Sequence, residues 1–163
     1  MALQIRAIGA DDFDACAWPI FQAVVSAGDT YAYAPDMTLA EARALWTGAD
    51  ARCYVATDDG GIVGTYMLHA NQRGPGSHVA NCGYMVDAAA RGRGIARAMC
   101  LHSLDEARRA GFRAMQFNCV VSTNAVAVAL WQKLGFAIVG RVPRAFAHPQ
   151  HGDVDILVMH RYL

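Results

Sequence analysis

The segment Arg91-Gly92-Arg93-Gly94 constrains this chain more than any other, because it follows an apolar run ending near Val86 and precedes an amphipathic run from Ile95. A strand, a glycine-containing loop and a helix in that order expose main-chain N–H groups at the helix start, where the macrodipole favours an anion. The two glycines lack a Cβ, so a ligand can approach the main chain closely. Positive charge beside them comes from Arg91, Arg93 and Arg97. The segment predicts a pyrophosphate site, with an ordinary turn between strand and helix as the alternative.

The composition excludes several classes of protein. The 163 residues are 55% hydrophobic and 17% charged, which excludes a disordered chain. The net charge is zero, so we expect no nucleic-acid partner. No apolar run approaches the roughly 20 residues that span a bilayer, and the first residues lack a signal-peptide pattern, so we expect no membrane partner. We expect one soluble domain over residues 1–163.

The cysteines also bear on the class of protein. They are five in number, which is odd, and form no CxxC pair. This pattern predicts reduced, buried thiols, no metal site and a cytoplasmic location.

Apolar periodicity along the chain predicts a layered α+β domain. We expect helices at residues 11–27, divided by Pro19, and at 38–46, 95–110 and 124–134. We expect strands at residues 3–8, 52–57, 62–70, 78–86, 113–120, 137–140 and 154–162. Asp58-Asp59-Gly60-Gly61 predicts a hairpin turn between the second and third strands. This order of elements predicts a mixed sheet with helices on both faces.

Two motifs resemble those of the GCN5-related N-acetyltransferase (GNAT) family. The first is Arg91-x-x-Gly94-x-Ala96, and the second runs from Asn124 to Leu134-Gly135-Phe136. The resemblance implies a mostly antiparallel sheet that splays into a V between the strands ending near Val86 and Val120. Acetyl-CoA would be inserted in the V, and its acetyl group would pass directly to an amine through a tetrahedral intermediate.

The same resemblance assigns cofactor-binding residues. The main chain around Met85 and Val86 would pair with the pantetheine arm, and an N–H near Val86 would face the thioester oxygen as a catalytic donor. Asn124 would bind the pantetheine arm or cap its helix, and Trp131 would pack against the cofactor or the core. The pyrophosphate would be bound by Arg91, Gly92, Arg93, Gly94, Ile95, Ala96 and Arg97.

The chain departs from the family pattern at two positions. Trp131 stands where many relatives have a Tyr that protonates the departing thiolate. A thiol pKa of about 8.5 makes the thiolate a tolerable leaving group without a positioned acid, and the alternative is that water, Cys119 or Ser122 replaces the Tyr. Asn81 stands where many relatives have a Glu base. The amine would then lose its proton through ordered water or bind in its neutral form, with His78 and Tyr84 as weaker candidates.

Asn81 and Asn118 lie in apolar strands on the two arms of the implied V. Two buried amides that converge on a cleft would hold a substrate carboxylate or amine; the alternative is that each satisfies a neighbouring main-chain group. This pair, with its flanking residues, resembles the fungal acetyltransferases that act on the proline analogue azetidine-2-carboxylate. The resemblance implies a small amino acid or cyclic imino acid as acceptor. Tyr31 and Tyr33 would wall the acceptor pocket or serve in packing.

The sequence therefore predicts an acetyl-CoA-dependent N-acetyltransferase that acts on a small-molecule amine. A non-catalytic acyl-CoA sensor is one alternative. A protein N-terminal acetyltransferase is another, but Tyr31, Tyr33 and a predicted loop at 141–153 favour a closed pocket over a peptide groove. Within that loop, His148 to Asp153 is interpreted as a solvated turn that can border the substrate rather than as a metal site. A strand edge near the carboxyl terminus makes a homodimer plausible.

Overall fold

A single seven-stranded sheet organises the fold, in the order β1-β2-β3-β4-β5-β7-β6. The computed structural model describes residues 3–59 and 61–163. The strands are β1 (Gln4–Ala7), β2 (Arg52–Asp58), β3 (Gly61–Ala70), β4 (Val79–Val86), β5 (Ala114–Val121), β6 (Ala137–His148) and β7 (Gly152–Tyr162). The helices are α1 (Trp18–Ala27), α2 (Leu39–Trp46), α3 (Ile95–Arg109) and α4 (Ala125–Lys133). Gly60 of the predicted hairpin turn lies outside the described residues, as do residues 1 and 2, but β2 and β3 pair antiparallel on either side of it.

Helices cover both faces of the sheet, as predicted. On one face α3 and α4 enclose a core that includes Tyr66, Met99 and Phe117. On the other face α1 and α2 enclose a second core around Phe21 and Trp46. None of these helices combines the length and the apolar character that crossing a membrane would require, within the described residues. The predicted α+β class, a mixed and mostly antiparallel sheet between two helical layers, is confirmed.

Local capping signals place the first helices correctly. The predicted helix over 11–27 is divided, with a π-helical turn at Phe13–Ala17 before α1 and Pro19 in the first turn of α1. Proline is tolerated there because the first N–H groups of a helix have no intrahelical partner. At α2, the Thr38 main-chain N–H donates to Glu41 over 2.8 Å, and the Thr38 hydroxyl accepts from the Glu41 N–H over 3.3 Å. This capping box fixes the start of α2.

The last two strands are longer than predicted. The sequence predicts a strand at 137–140 and a loop at 141–153, but β6 continues to His148 and only residues 149–151 form the turn to β7. The prediction fails because β6 is an edge strand with little burial, so it lacks the apolar alternation of a half-buried strand. Its register is also shifted twice, between Ile138 and Gly140 and between Val142 and Phe146.

The sheet splays between β4 and β5. These neighbouring strands are parallel and pair only at Val79 with Ala114 and at Ala80 with Met115. Beyond that point β4 stays paired with β3, while β5 stays paired with β7. The implied V is therefore confirmed, and its open end lies toward the carboxyl ends of both strands.

The thiols are less uniformly buried than the sequence predicts. All five cysteines lie in the described part of the chain and are free. Cys53, Cys82 and Cys100 are buried, but Cys16 is exposed and Cys119 is half-buried. Cys16 lies in the π-helical turn before α1, where the helix faces solvent on one side.

Candidate active site

A cleft of about 700 Å³ opens where β4 and β5 diverge. Its floor is formed by the facing parts of β4 and β5, at residues 81–86 and 117–121. Three walls surround it. The tyrosine wall is formed by residues 29–33, and the turn wall by His148, Gln150 and His151. The helix wall is formed by Arg91, Ala96, Thr123, Asn124, Val126, Ala127, Leu130 and Trp131. Because α4 and the tyrosines pack on opposite faces of the sheet, the cleft connects the two faces.

The loop before α3 has the geometry expected of an anion site. Gly92 and Gly94 have φ angles of +77° and +78°, in the left-handed region that favours glycine. Gly94 is the N-cap of α3 and no side chain among the described residues caps that helix, so its first N–H groups remain available. A Cβ on either glycine would meet no protein atom within 4 Å, so the space in front of the loop is open. These features fit a diphosphate.

The arginines near this loop differ in their availability. Arg91 lines the cleft. The Arg93 guanidinium is instead paired with Asp58, whose side chain is only 8% exposed, so Arg93 anchors the loop to the β2–β3 hairpin. Arg97 is exposed on the first turn of α3. Ile95 buries its side chain in the core, so only its main chain can serve an anion.

The main chain of β4 turns toward the gap polar groups that no neighbouring strand pairs. The Asp87 N–H donates to the Val63 carbonyl on the β3 side. Because successive residues of an antiparallel strand direct their N–H and C=O groups to opposite sides, Val86 and Tyr84 face the gap. Met85, which the resemblance also assigns to the cofactor, directs its main chain to β3 instead and buries its side chain.

Asn124 and Trp131 both line the helix wall. The Asn124 Oδ1 accepts from the Ala127 N–H over 3.2 Å and so caps α4, which is one of the two alternatives predicted for it. Its Nδ2 group has no acceptor within residues 3–59 and 61–163 and can donate into the cleft. Trp131 is 8% exposed and packs its ring 5.1 Å from that of Tyr84 and 5.2 Å from that of Phe117.

The two weaker base candidates do not suit that role. The Tyr84 hydroxyl bonds to the Ser103 hydroxyl over 2.7 Å in the core beneath α3, and burial raises its pKa well above the usual value. His78 does not line the cleft, and its ring contacts the Pro75 carbonyl over 3.0 Å. Neither residue therefore presents a proton acceptor to the cleft.

Asn81 and Asn118 both line the cleft but do not bond to each other. The Asn81 Nδ2 donates to the Gln116 carbonyl over 2.9 Å. The Gln116 side chain donates to Asn118 Oδ1 over 2.8 Å, and Asn118 Nδ2 donates to Asn71 Oδ1 over 2.6 Å. The expectation of two buried amides is wrong for Asn118, which is exposed because it lies where the strands have already diverged. The Gln116 carbonyl fixes the orientation of the Asn81 amide, which leaves Asn81 Oδ1 as an acceptor.

The tyrosine wall is held against β4. The Tyr31 and Tyr33 rings stack with centroids 5.3 Å apart. Gly83 of β4 permits the wall to approach the strand closely, since a Cβ there would lie 3.2 Å from the Tyr31 hydroxyl oxygen and 3.3 Å from the Trp46 ring. Burial raises the pKa of both tyrosines, so their hydroxyls stay protonated at neutral pH. No sequence motif marks Gly83, because its importance comes from its contact with Tyr31, a residue far away along the chain.

The sequence predicts that residues 148–153 can border the substrate, and the turn wall within them lines the cleft; one carboxylate of the cleft was not assigned from the sequence. The His148 and His151 rings lie 4.5 Å apart, and both line the cleft. The turn reaches it because β7 runs antiparallel to β5, so its start lies beyond the carboxyl end of β5. Asp29 is the one carboxylate among the described residues that line the cleft. Asp29 belongs to no motif of the sequence, so only the fold assigns it to the site.

The thiols near the gap are poor nucleophiles as they stand. Cys82 is buried, and burial raises the pKa of its thiol. Cys119 lines the cleft and is half-buried, which also raises its pKa. A raised pKa disfavours the thiolate, which is the nucleophilic form. Ser122, the other residue suggested as an acid, does not line the cleft.

The sequence was compared with known families and proteins. Residues 16–136 match the profile of the Acetyltransferase (GNAT) family. The chain is also 33% identical over 98 residues to N-acetyltransferase aca1 of Schizosaccharomyces pombe. That alignment covers 60% of this chain and 47% of the relative, so the chain spans about half the length of the curated relative that it matches.

The structure was compared with solved structures. A GCN5-related N-acetyltransferase from Kribbella flavida superimposes with a TM-score of 0.94 at 52% sequence identity, covering 99% of this chain and 98% of that one. A phosphinothricin acetyltransferase from Sinorhizobium meliloti, solved in complex with AcCoA, gives a TM-score of 0.87 at 23% identity, covering 100% of this chain and 89% of that one. The second likeness shows the shared fold.

Proposed function

The chain belongs to the Acetyltransferase (GNAT) family and is an acyltransferase, and on that premise we propose that it acetylates the amine of a small molecule in the cytoplasm. The donor is acetyl-CoA, and the acceptor is a small amino acid or a cyclic imino acid. The acceptor class follows from the likeness of the Asn81 and Asn118 segments to fungal acetyltransferases of a proline analogue.

One observation carries the proposal: a single cleft joins an open anion loop on one side of the sheet to an enclosed tyrosine wall on the other. Two substrates that enter from opposite faces would meet at the gap between β4 and β5. Tyr31 and Tyr33 narrow the second entrance, which favours a small acceptor over a peptide. Most of residues 141–153 is strand and not loop, so the preference for a small acceptor rests on the two tyrosines.

The residues of the helix wall and its loop would hold acetyl-CoA. The N–H groups that follow Arg91 would bind the diphosphate, and the pantetheine arm would be bound by Asn124 Nδ2, the Tyr84 N–H and the gap-facing main chain of Val86. When bound, the coenzyme supplies an acetyl thioester whose carbonyl can be attacked by an amine. The Val86 N–H then serves as a fixed donor for the negative charge that develops on the carbonyl oxygen.

Asn81 and Asn118 would orient the acceptor. Asn81 Oδ1 is free to accept a hydrogen bond from the amine, and an amide cannot take its proton near neutral pH. We therefore propose that the amine reacts in its neutral form and that water removes the proton. A thiol pKa of about 8.5 makes the coenzyme thiolate an adequate leaving group, so Trp131 need not be replaced by an acid.

We propose direct transfer without an acyl-enzyme. Cys82 and Cys119 are the thiols nearest the reaction, and the pKa of each is raised. A pre-steady-state measurement tests this: mixing the chain with acetyl-CoA alone should release no burst of free CoA. A burst that disappears in Cys119→Ser or Cys82→Ser would establish a covalent route instead.

The proposed function is tested by measuring CoA release with a panel of amino acids, cyclic imino acids, simple amines and peptides. We expect turnover with at least one free amino or imino acid. Binding of acetyl-CoA without turnover of any amine would identify an acyl-CoA sensor. Faster turnover of peptides than of free amino acids would identify a protein N-terminal acetyltransferase.

We also propose that the chain forms a homodimer through β6. This edge strand exposes three apolar side chains, with exposed fractions of 41% for Ile138, 60% for Val139 and 46% for Val142. An apolar edge strand without a partner favours association between copies. Sedimentation equilibrium should give twice the 17.5 kDa monomer mass, and Val139→Lys should lower it to the monomer value.

A further inference from the structure

The His148 ring is held in one orientation at the end of β6. Its Nδ1 accepts a hydrogen bond from the Gln150 main-chain N–H over 3.1 Å. The ring also lies 4.5 Å from that of His151 and 6.4 Å from that of the buried Phe146. His148 is half-buried and lines the cleft, so the orientation of its ring bears on what the cleft can bind.

The hydrogen bond within the turn also fixes the tautomer. A main-chain N–H can only donate, so Nδ1 of His148 must be the unprotonated nitrogen. The proton of the neutral ring then resides on Nε2, at the opposite edge of the imidazole. His148 thus presents its Nε2–H group as a hydrogen-bond donor of fixed direction.

A second donor lies on the tyrosine wall. The Tyr33 hydroxyl stays protonated because burial raises its pKa, and it has no hydrogen-bond partner within residues 3–59 and 61–163. Tyr33 and His148 both line the cleft. Among the described residues, neither the Tyr33 hydroxyl nor the His148 Nε2–H group has an acceptor. A carboxylate is an acceptor-only group with two oxygens, and it satisfies two such donors at once.

We propose that His148 is a specificity-determining residue that binds the carboxylate of the acceptor through Nε2–H, with the Tyr33 hydroxyl as second donor. The proposal rests on the proposed function and deepens it, since it makes the carboxylate a requirement for efficient acetylation. Asp29, on the same wall as Tyr33, would repel a simple anion. An amino or imino acid offsets this repulsion because it enters with a positive ammonium group, which loses its proton to water before the neutral amine attacks.

The test compares acceptors that differ only in the carboxylate. The pairs are L-proline with pyrrolidine and L-phenylalanine with 2-phenylethylamine, and the quantity measured is the ratio of kcat/KM for the acid to that for the amine. The amines of a pair differ in basicity, but this difference cancels when one ratio is compared between variants. We expect His148→Phe to lower the ratio by about 10- to 100-fold, as loss of a hydrogen bond to a charged group does.

Two further variants make the result specific. His148→Gln retains an N–H donor at a similar reach and should restore part of the ratio. His160→Phe is the control, because His160 does not line the cleft and Phe keeps the ring contact with Tyr162; it should leave the ratio within about twofold of wild type. The dissociation constant of acetyl-CoA, measured by calorimetry, should match wild type in all three and shows that they are folded.

The outcomes separate the two proposals. If wild type acetylates amines and His148→Phe leaves the ratio unchanged with normal acetyl-CoA affinity, the role of His148 is wrong and the proposed function stands. A wild-type ratio at or below one also overturns the role of His148. If wild type turns over no amine at all, the proposed function itself is overturned.

Discussion

The Tyr31 hydroxyl donates a hydrogen bond to the Tyr84 carbonyl oxygen over 2.7 Å, across 53 positions of the sequence. The bond fastens the tyrosine wall to the strand edge that faces the gap between β4 and β5. It also occupies one of the polar groups that β4 turns toward the gap. The position of the tyrosine wall is therefore set by β4, which is also the strand that would align acetyl-CoA.

Replacing Tyr31 with Phe should loosen this wall. Loss of a partly buried hydrogen bond lowers the free energy of unfolding by about 1 kcal/mol, and the acceptor KM should rise several-fold while acetyl-CoA affinity changes little. Steady-state kinetics with both substrates varied will separate the two effects. Tyr162→Phe is the control, because Tyr162 is 81% exposed and does not line the cleft. Equal acceptor KM values for the two variants would contradict the fastening role.

Gly83→Ala should disturb the same wall from the other side. The added Cβ would lie 3.2 Å from the Tyr31 oxygen and 3.3 Å from the Trp46 ring, and overpacking of this kind costs about 1–3 kcal/mol. Gly61→Ala is a matched control in β3, where the nearest atom to the new Cβ is 3.7 Å away. Urea denaturation should show a larger loss for Gly83→Ala, together with weaker acceptor binding. A loss no greater than that of Gly61→Ala would show that Tyr31 moves freely.

Gly94→Glu should abolish acetyl-CoA binding. The side-chain carboxylate would stand where the N–H groups of α3 would bind the diphosphate, and like charges there repel. Gly111→Glu at the other end of α3 is matched for strain, since Gly111 has φ +86° and Gly94 has φ +78°, both with open space around the Cβ. Calorimetric titration should show at least about 100-fold weaker binding for Gly94→Glu and unchanged binding for Gly111→Glu. Similar affinities in both variants would remove the diphosphate from this loop.

Asn118→Ala should affect the acceptor and spare the coenzyme. The change removes the amide that bonds to both Gln116 and Asn71, so the edge of β5 loses its tie to the end of β3. We expect a higher acceptor KM or lower kcat, with acetyl-CoA affinity within about twofold of wild type. Wild-type kinetics would reduce Asn118 to a structural amide.

Glu106 makes the stability of the fold depend on pH. Its hydrogen bond from the Tyr54 hydroxyl, at 2.6 Å, and its pairing with Arg109 hold the pKa of the Glu106 carboxyl below its usual value. A lowered pKa stabilises the folded state above the unfolded pKa of about 4.3, and this contribution is lost as the pH falls through the folded pKa. Glu106→Gln should therefore be less stable than wild type at pH 7.

The difference between the two proteins should shrink as the pH is lowered from about 5 to 3. Urea denaturation across that range measures it directly. Asp105→Asn removes an exposed ion pair with Arg108 on the same helix and should cost less. A constant difference between wild type and Glu106→Gln at every pH would contradict the assigned role of the carboxylate.

The parts of the site that depend on neighbouring residues were predictable from the sequence. The glycine loop before α3, the Asn124 cap of α4 and the Thr38 capping box are each set within a few positions. Their main-chain geometry follows from residue type, so the sequence locates them. The sheet with helices on both faces is predictable as well, because apolar residues recur along each strand and helix with the period of that element.

The parts that depend on distant contacts were not predictable. Gly83 reads as an ordinary strand residue until Tyr31 is placed beside it. The sequence predicts that the turn with His148 and His151 can border the substrate, but it does not predict the length of β6 that carries the turn there, because the register shifts of β6 conceal that length. Arg93 was assigned to the anion site, but its pairing with Asp58 could be found only once the hairpin was folded against α3.

The brief contact between β4 and β5 divides the sheet into two halves joined at Val79–Ala114 and Ala80–Met115. The pantetheine arm of the coenzyme would then form hydrogen bonds with the unpaired part of β4, and its binding would complete the sheet. Hydrogen exchange at the gap-facing amides of Tyr84 and Val86 should be rapid in the free chain and slow when the coenzyme is bound. Binding of acetyl-CoA would in this way make the strand edges at the gap more rigid, and the acceptor is held against these edges.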